Sequence, residues 1–367
     1  MLIFALSLIG LHGQDAAALG KRALNKMSKP INQSHIVFMQ AYILNNEMLV
    51  RKEHKYGGAN METITAFLPK KISEKLKQIP PHILNDLEEI RVRINRPLEL
   101  TTKGTPHFLP YIVDSEDAVH LLNKISHFSI YTLEEELKRG YITIEGGHRV
   151  GLAGKVILEE GKVKAIRDIS SFNIRIAREK MGIAEKLIPY MYKGGWVHTM
   201  IIGPPQTGKT TLLRDIARII SSGDSNGAFQ ASKVGIIDER SEIAGCVNGI
   251  PQMTFGHRID VLDACPKAEG MMMMIRSMSP EVLIVDEIGR QEDAEAIMEA
   301  VNAGIKLIMT THGNTFEEIK KRPTLKGILE MGIFQRFIEL SRREGPGSIT
   351  CIKDSAGKRL LHEVRVT

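Results

Sequence analysis

A glycine-rich run in the second half of the chain has the spacing of a phosphate-binding loop. Gly203-Pro-Pro-Gln-Thr-Gly-Lys-Thr210 matches the pattern GxxxxGK(S/T) without a gap. Its glycines let the backbone wrap around a phosphate, so that successive N–H groups point inward. We expect Lys209 to bridge the β- and γ-phosphates of ATP and Thr210 to bind Mg²⁺. The residues predicted to contact the nucleotide are Gly203, Pro204, Pro205, Gln206, Thr207, Gly208, Lys209, Thr210 and Thr211.

An apolar strand that ends in two acids supplies the complementary chemistry. Glu281-Val-Leu-Ile-Val-Asp286-Glu287 has this form, and ligands bind at the carboxyl ends of strands in open parallel sheets. Asp286 is therefore predicted to hold Mg²⁺, directly or through water. Glu287 is predicted to orient or deprotonate the attacking water. The alternative is an exposed acidic strand end.

A second acidic cluster repeats this layout after another apolar run. Gly235-Ile-Ile-Asp238-Glu239-Arg-Ser-Glu242 brings three acids to the end of a predicted strand. Glu239 is predicted to face the same metal or water, and Asp238 and Glu242 are further candidates. A salt-bridged loop without a role in the site is the alternative.

His312 and several arginines are candidates for contacts to the γ-phosphate. His312 follows the run Lys306-Leu-Ile-Met-Thr-Thr311, where a polar side chain can sense the phosphate; a purely structural histidine is the alternative. Phosphoryl transfer also needs positive charge from outside the loop, and the planar fork of arginine binds phosphate oxygens in two places. The arginine candidates are Arg149, Arg167, Arg175, Arg178, Arg258, Arg276 and Arg290; the remainder would be surface residues or structural ion pairs.

The elements that must position these residues alternate along residues 191–367. Short apolar runs are predicted as strands, and helical segments separate them, the first after the glycine-rich loop over 211–220. Buried strands alternating with helices predict a parallel sheet covered on both faces. The predicted strands are 199–203, 233–237, 282–285 and 306–310. Met271–Met274 covers every face of its helix, so part of it is predicted to be buried, in flexible packing or a subunit interface.

Residues 61–190 are predicted to form a smaller mixed α/β domain. Helical spacing covers 64–76, and a second helix is predicted over 83–90. Residues 91–100 alternate like a strand interrupted at Pro97. Ser115 is predicted to cap a helix that ends at Ile125. Further along, a short helix is predicted over 133–137 and a β-hairpin over 151–176.

The first sixty residues differ from the rest in charge and hydropathy. They hold seven lysines and arginines and three acids, whereas the other 307 residues hold 42 and 40. The apolar run from Leu2 to Leu11 is too short to span a bilayer, and no basic residue precedes it as in a signal peptide. We interpret residues 1–60 as a disordered leader or a mis-assigned start, with Met61 as the alternative first residue. Three widely spaced cysteines indicate buried thiols in a reducing compartment.

Secretion-type ATPases of the type II and type IV systems and of pilus retraction carry a Walker A motif, an Asp box, a Walker B motif and a His box, in that order. This chain resembles them through Gly203–Thr210, 237–242, 280–290 and Thr310–His312, respectively. More narrowly, the chain resembles the stage III sporulation protein AA family over about residues 61–360, through the stretches 89–100, 169–178 and 238–245. One position departs from the secretion pattern. Walker B ends in Asp286-Glu287 rather than Gly-Glu, so the Glu is retained and the metal shell is in doubt.

This resemblance implies a RecA-like P-loop NTPase domain preceded by the smaller N-terminal domain. It also implies a homo-hexamer with nucleotide between the two domains. Arg175 and Arg178 would reach the γ-phosphate, with Arg149 as a further candidate. The protein would be cytoplasmic and peripheral at the membrane, through membrane-anchored components of a sporulation channel complex.

Two other classes of function are weighed against this ATP-driven motor. A nucleic-acid motor would need a basic channel that bears aromatic side chains, but only 5% of the chain is aromatic and residues 61–367 are nearly neutral, so no nucleic-acid partner is expected. A scaffold that binds ATP and turns it over slowly is the third possibility. Lys209, Asp286 and Glu287 argue against it because all three are intact.

Overall fold

Two β-sheets, the second with helices on both faces, make up the described part of the chain. The computed structural model describes residues 61–126, 134–343 and 345–365. The interpretation of residues 1–60 as a leader lies outside these residues. The sheets belong to a unit of the chain that begins at Met61, and every helix described is too short or too polar to cross a bilayer.

The first sheet is antiparallel and has six strands. The order is β3-β2-β1-β6-β5-β4. The strands are β1 (Leu87–Arg93), β2 (Pro97–Thr102), β3 (Thr105–Ile112), β4 (Tyr141–Ile144), β5 (His148–Glu159) and β6 (Lys162–Arg175). The helices are α1 (Met61–Phe67), α2 (Lys70–Lys77), α3 (Pro81–Leu84), α4 (Ser115–Ile125) and α5 (Glu134–Arg139). The hairpin predicted over 151–176 is confirmed as β5 and β6.

Three predicted elements in this half need correction. The helix predicted over 83–90 is wrong because α3 ends at Leu84 and β1 begins at Leu87. β1 lies between β2 and β6 and pairs with both, so pairing on two sides overrides the local helical spacing. Pro97 does not interrupt a strand but begins β2, after a turn in which Asn95 has φ 59°. The helix predicted over 64–76 is two helices, with Pro69 at the N-cap of the second.

The N-cap of α4 is Asp114, so the prediction of Ser115 is wrong by one residue. The Asp114 carboxylate accepts the backbone N–H of Asp117 at 2.8 Å, and the Asp117 carboxylate accepts the N–H of Asp114 at 3.2 Å. This reciprocal pair is a capping box, which satisfies two N–H groups that the helix itself leaves free. An aspartate accepts these bonds as well as a serine does, so residue type alone does not choose between the neighbours.

Asp114→Ala should lower the free energy of unfolding by about 1 kcal/mol, because the cap is lost. Ser115→Ala is the matched control and should leave stability almost unchanged, since its side chain caps nothing. Urea unfolding followed by circular dichroism measures both. Equal losses in the two variants would contradict the assignment of the cap.

The second sheet has eight strands in the order β14-β13-β12-β7-β11-β10-β8-β9. Strands β12, β7, β11, β10, β8 and β9 are parallel, and β13 and β14 add antiparallel at one edge. The strands are β7 (Thr199–Gly203), β8 (Val234–Asp238), β9 (Ile259–Asp263), β10 (Val282–Val285), β11 (Lys306–His312), β12 (Arg336–Ser341), β13 (Ser348–Asp354) and β14 (Arg359–Arg365). The helices are α6 (Ile188–Met191), α7 (Lys209–Ser222), α8 (Lys267–Met278), α9 (Glu292–Asn302), α10 (Phe316–Ile319) and α11 (Pro323–Glu330).

Both faces of the parallel sheet are buried, as predicted. Alternate strand residues point to opposite faces: Ile201 packs in one apolar cluster with α7, whereas Met200 and Ile202 pack in another with α8 and α9. The four predicted strands are confirmed. The prediction for the methionine run is confirmed in part, since Met271 and Met274 are buried and Met273 is exposed. A Cβ on Gly235 would lie 2.7 Å from Met274 Cγ, so this glycine permits the close approach of α8 to β8.

The three cysteines are free thiols, and two of them, Cys246 and Cys351, are buried. Burial raises the pKa of Cys246 to about 12, which leaves this thiol protonated and unreactive. The domain boundary predicted near residue 190 lies between β6, which ends at Arg175, and β7, which begins at Thr199. It stays a prediction.

Candidate active site

The glycine-rich loop connects β7 to α7 at the carboxyl edge of the parallel sheet. Helix α7 begins at Lys209, and Gly208 precedes it with φ 86°, a left-handed conformation that favours glycine. A Cβ on Gly203 would lie 2.5 Å from Thr207 Oγ1, so the loop closes tightly only with glycine there. Within the described residues, the N–H groups of Gln206, Thr207 and Gly208 meet no backbone acceptor. The loop and the first turn of α7 therefore offer donors to an anion.

Lys209 is buried within this loop, with 5% of its surface exposed. Its Nζ donates to the carbonyl oxygens of Gly203 and Pro204 at 2.9 and 3.0 Å, and lies 3.3 Å from His312 Nδ1. Burial lowers the pKa of Lys209, and the carboxylates of Asp286 and Glu287 oppose this effect. Two neutral carbonyls compensate a buried cation weakly. A phosphate would therefore compete well for this ammonium group.

The side-chain oxygens of Thr210 and Asp286 lie close together, and oxygen atoms are the ligands that a hard metal ion prefers. Thr210 Oγ1 donates to Asp286 Oδ2 at 2.7 Å, and Asp286 Oδ1 accepts the hydroxyl of Thr310. Mg²⁺ prefers oxygen ligands and is usually held by one or two protein groups together with substrate phosphates and water. The pair fits Mg²⁺ in its donor chemistry, and Thr310 fixes the orientation of the carboxylate.

Glu287 lies next to His312, and each oxygen of its carboxylate has a partner. Its Oε1 is 2.8 Å from His312 Nε2, and its Oε2 is 2.9 Å from Arg240 Nη1. The backbone at Glu287 is left-handed, with φ 57°, and its N–H donates to Thr310 Oγ1 at 2.8 Å. A left-handed backbone at a residue other than glycine is uncommon, and such residues cluster at functional sites.

The acids of the second cluster have separate partners. The Asp238 carboxylate is buried and accepts the N–H groups of Glu242, Ile243 and Ala244 at 2.8 to 3.0 Å. Burial raises its pKa to about 6, although these three bonds oppose the shift. Glu239 pairs with Lys267. A small cavity of about 10 Å³ unites the two acidic clusters, and a cavity of this volume holds about one water molecule. Its lining residues are Asp238, Glu239, Arg240, Glu242, Lys267, Asp286 and Glu287.

The predicted arginines Arg175 and Arg178 contact strand β1. Arg175 lies 3.4 Å from Glu89 and is 60% exposed, and Arg178 Nη2 donates to the Leu87 carbonyl at 2.7 Å. The buried Nε of Arg178 has no hydrogen-bond partner among the residues described. The γ-phosphate roles of Arg175 and Arg178 stay predictions.

Arg149 contacts the loop after β8 at the carboxyl edge of the parallel sheet, whereas Arg258 lies at the amino edge. Arg149 pairs with Glu242 at 2.7 Å and stacks over the Tyr141 ring at 3.5 Å. Arg258, by contrast, precedes β9 at the amino end of the parallel strands and lies 3.8 Å from Glu281. Arg149 therefore joins the first sheet to the loop after β8.

Sequence reasoning missed three contacts at the site. It did not single out Arg240 as the partner of Glu287. Nor did it assign the orienting role of Thr310, although Thr310 lies within the motif that contains His312. The third contact comes from the loop after β12, where Gly347 N–H donates to the Thr207 carbonyl at 2.8 Å. The order of the strands explains it, because β12 neighbours β7 and its carboxyl end meets the phosphate loop.

Comparison with known proteins decides the family. The profile described as "Sporulation stage III, protein AA" matches residues 59–360. The chain belongs to the stage III sporulation protein AA family. A relative in this family, stage III sporulation protein AA of Bacillus subtilis (strain 168), is 58% identical over 300 residues, which cover 82% of this chain and 97% of that protein.

Two solved structures of ATPases are similar to this family member. The match to the pilus retraction motor PilT with bound ADP covers 73% of this chain and 76% of the PilT chain, at 17% identity and a TM-score of 0.50. The match to the ATPase DotB of Legionella pneumophila covers 69% of this chain and 71% of the DotB chain, at 18% identity and a TM-score of 0.46. The predicted fold class, a P-loop ATPase domain preceded by a smaller mixed α/β domain, is confirmed. This stage III sporulation protein AA family member shares its fold with the PilT ATPase.

Proposed function

We propose that the protein hydrolyses ATP with Mg²⁺ and uses the energy to assemble, or to transport through, a membrane-spanning complex during endospore formation. The observation that carries this proposal is the convergence of Lys209, Thr210, Asp286 and Glu287 at one edge of the sheet. ATPase activity, a substrate and a site of action are all parts of the proposal, supported by the family and by the fold.

The residues of this site can perform the steps of phosphoryl transfer to water. The free N–H groups of the loop bind the phosphates, and Lys209 exchanges its two carbonyl partners for phosphate oxygens. Thr210 and Asp286 would hold Mg²⁺, which neutralises charge on the phosphates. Glu287 orients the attacking water and accepts its proton, while His312 lies between Glu287 and Lys209 and links the two.

Assembly into a homo-hexamer is part of the same proposal. In this arrangement the protein would be cytoplasmic and reach the membrane through anchored components of a sporulation channel. The predicted arginines Arg175 and Arg178 are polar groups of the first half that could serve a nucleotide held between the two halves. Mass photometry with ATP measures the stoichiometry, and a monomer at every concentration would contradict the ring.

A pull-down from sporulating cells tests whether the protein acts on a membrane complex. We expect tagged wild-type protein to retain integral membrane proteins in the presence of ATP, because an ATP-driven motor must engage its complex in the nucleotide-bound state. The matched control is Lys209→Ala, which should retain them weakly. Retention of nucleic acid instead, together with turnover stimulated by single-stranded DNA, would favour a nucleic-acid motor and contradict the proposal.

A further inference from the structure

Arg240 is an arginine whose guanidinium contacts Glu287, the predicted base of the site. It follows Glu239 in the loop after β8, its guanidinium lies 2.9 Å from Glu287 Oε2, and its side chain is 59% exposed. The other oxygen of Glu287 is held by His312, whose second ring nitrogen lies 3.3 Å from Lys209 Nζ. A chain of contacts therefore leads from Arg240 to the lysine that would bind the γ-phosphate.

The backbone that carries Arg240 is fixed from two sides. Within the loop, the buried carboxylate of Asp238 accepts the N–H groups of three following residues. From outside the loop, the Tyr141 hydroxyl donates to the Arg240 carbonyl at 3.4 Å, and Arg149 pairs with Glu242 at 2.7 Å. Both of these contacts come from the first sheet. The base of the side chain is thus held, whereas its guanidinium is half in solvent and can exchange partners.

The pair between Arg240 and Glu287 is at odds with the role of a free base. Arg240 and His312 each occupy an oxygen of the Glu287 carboxylate, so the attacking water would have to share these oxygens with a competing guanidinium and a ring nitrogen. A γ-phosphate beside Lys209 carries more negative charge than one carboxylate and matches the planar fork of arginine in two places. Phosphate binding would therefore draw the guanidinium away from Glu287 and release the carboxylate.

We propose that Arg240 is a further catalytic residue, an arginine supplied by the same domain that leaves Glu287 for the γ-phosphate when ATP binds. This inference rests on the proposed ATPase function. In the step itself, the water oxygen bonds to the γ-phosphorus as the bond from that phosphorus to the β–γ bridging oxygen breaks. The proton of the water goes to Glu287, and the guanidinium stabilises the charge on the transferred group.

The test compares Arg240→Ala with the wild-type protein in steady-state turnover and in equilibrium binding of ADP and a non-hydrolysable ATP analogue. We expect kcat to fall about 100-fold, the loss typical of one positioned group at the transition state. ADP affinity should stay at the wild-type value because ADP lacks the γ-phosphate. The tighter binding of the ATP analogue relative to ADP should be lost, a change that a merely structural residue would not cause.

Two further variants keep the test decisive. Arg240→Lys keeps the charge without the fork and should recover part of the lost turnover. Arg93→Ala removes an arginine that also contacts a glutamate, but on strand β1 of the first sheet, so its turnover should match the wild type. ADP binding reports that each variant is folded.

The outcomes separate the two proposals. A wild-type protein without ATP turnover would overturn the proposed function, and the role of Arg240 with it. A wild-type protein that turns over ATP, beside an Arg240→Ala variant with the same kcat and the same preference for the ATP analogue over ADP, would overturn the role of Arg240 alone.

Discussion

Replacement of Lys209 by alanine is expected to lower kcat/KM for ATP by about 10³-fold, at the upper end of what one preorganised group supplies to a transition state. The side chain is buried, and its ammonium group is held only by two carbonyl oxygens. It is the cation that the loop offers to the β- and γ-phosphates. Steady-state phosphate release measures the effect.

Lys306→Ala is the matched control for this prediction. Lys306 begins β11, at the amino edge of the same sheet, whereas His312 ends that strand beside Lys209. The control should keep wild-type turnover. Thermal unfolding of Lys209→Ala should show an intact fold, since the change removes a buried charge without breaking an ion pair. Turnover by a folded Lys209→Ala at the wild-type rate would show that the chemistry occurs elsewhere.

Glu287→Gln should separate ATP binding from hydrolysis. Glutamine has nearly the same shape and still accepts a hydrogen bond from Arg240 or His312, so the site should remain assembled. It cannot take a proton from water, and the loss of a general base lowers kcat by about 10² to 10⁴-fold. ATP affinity should remain close to the wild-type value. Single-turnover kinetics and equilibrium binding measure the two effects separately.

The acid at the other end of the same strand provides the comparison. Glu281 lies just before β10 and accepts the N–H of Lys233, far along the strand from Asp286. Glu281→Gln should leave turnover unchanged. If Glu287→Gln kept full turnover as well, another group would have to accept the proton, and the assignment of Glu287 would be wrong.

The parallel sheet could be predicted from the sequence because its inner strands are continuous apolar runs. Strands β7, β10 and β11 are buried on both faces, so each leaves a clear local signal. β9 leaves none, because Ile259–Asp263 contains two acids in five residues and lies at an edge of the sheet. The helix wrongly predicted over 83–90 shows the same limit, since β1 is set by its pairing with β2 and β6.

The motifs of the site were visible for a related reason. A phosphate loop and an acidic strand end are each short runs of sequence, and their chemistry follows from residue type and spacing. The contact between Arg240 and Glu287 has no such local pattern. It depends on the left-handed backbone at Glu287 and on the turn held by the Asp238 carboxylate. Together, the backbone at Glu287 and this turn bring Arg240 and Glu287, which are distant in the chain, into contact.

Contacts between the first sheet and the loop after β8 give the proposed cycle a route between the two halves. Tyr141 and Arg149 hold the loop that carries Arg240 and Glu242, and Arg240 contacts Glu287. A change at the nucleotide that moves Arg240 would therefore act on a loop that the first sheet already touches. Domain closure and opening driven by ATP would use such a link.

A crystal structure of the protein with Mg²⁺ and a non-hydrolysable ATP analogue is the most direct test of the account. The γ-phosphate should lie within hydrogen-bond distance of Lys209 Nζ, with the metal ligated by Thr210 and by Asp286 directly or through water. A triphosphate bound away from this loop would contradict the account, as would a metal that neither residue approaches, because the amide cradle and the acidic pair would then serve no common ligand.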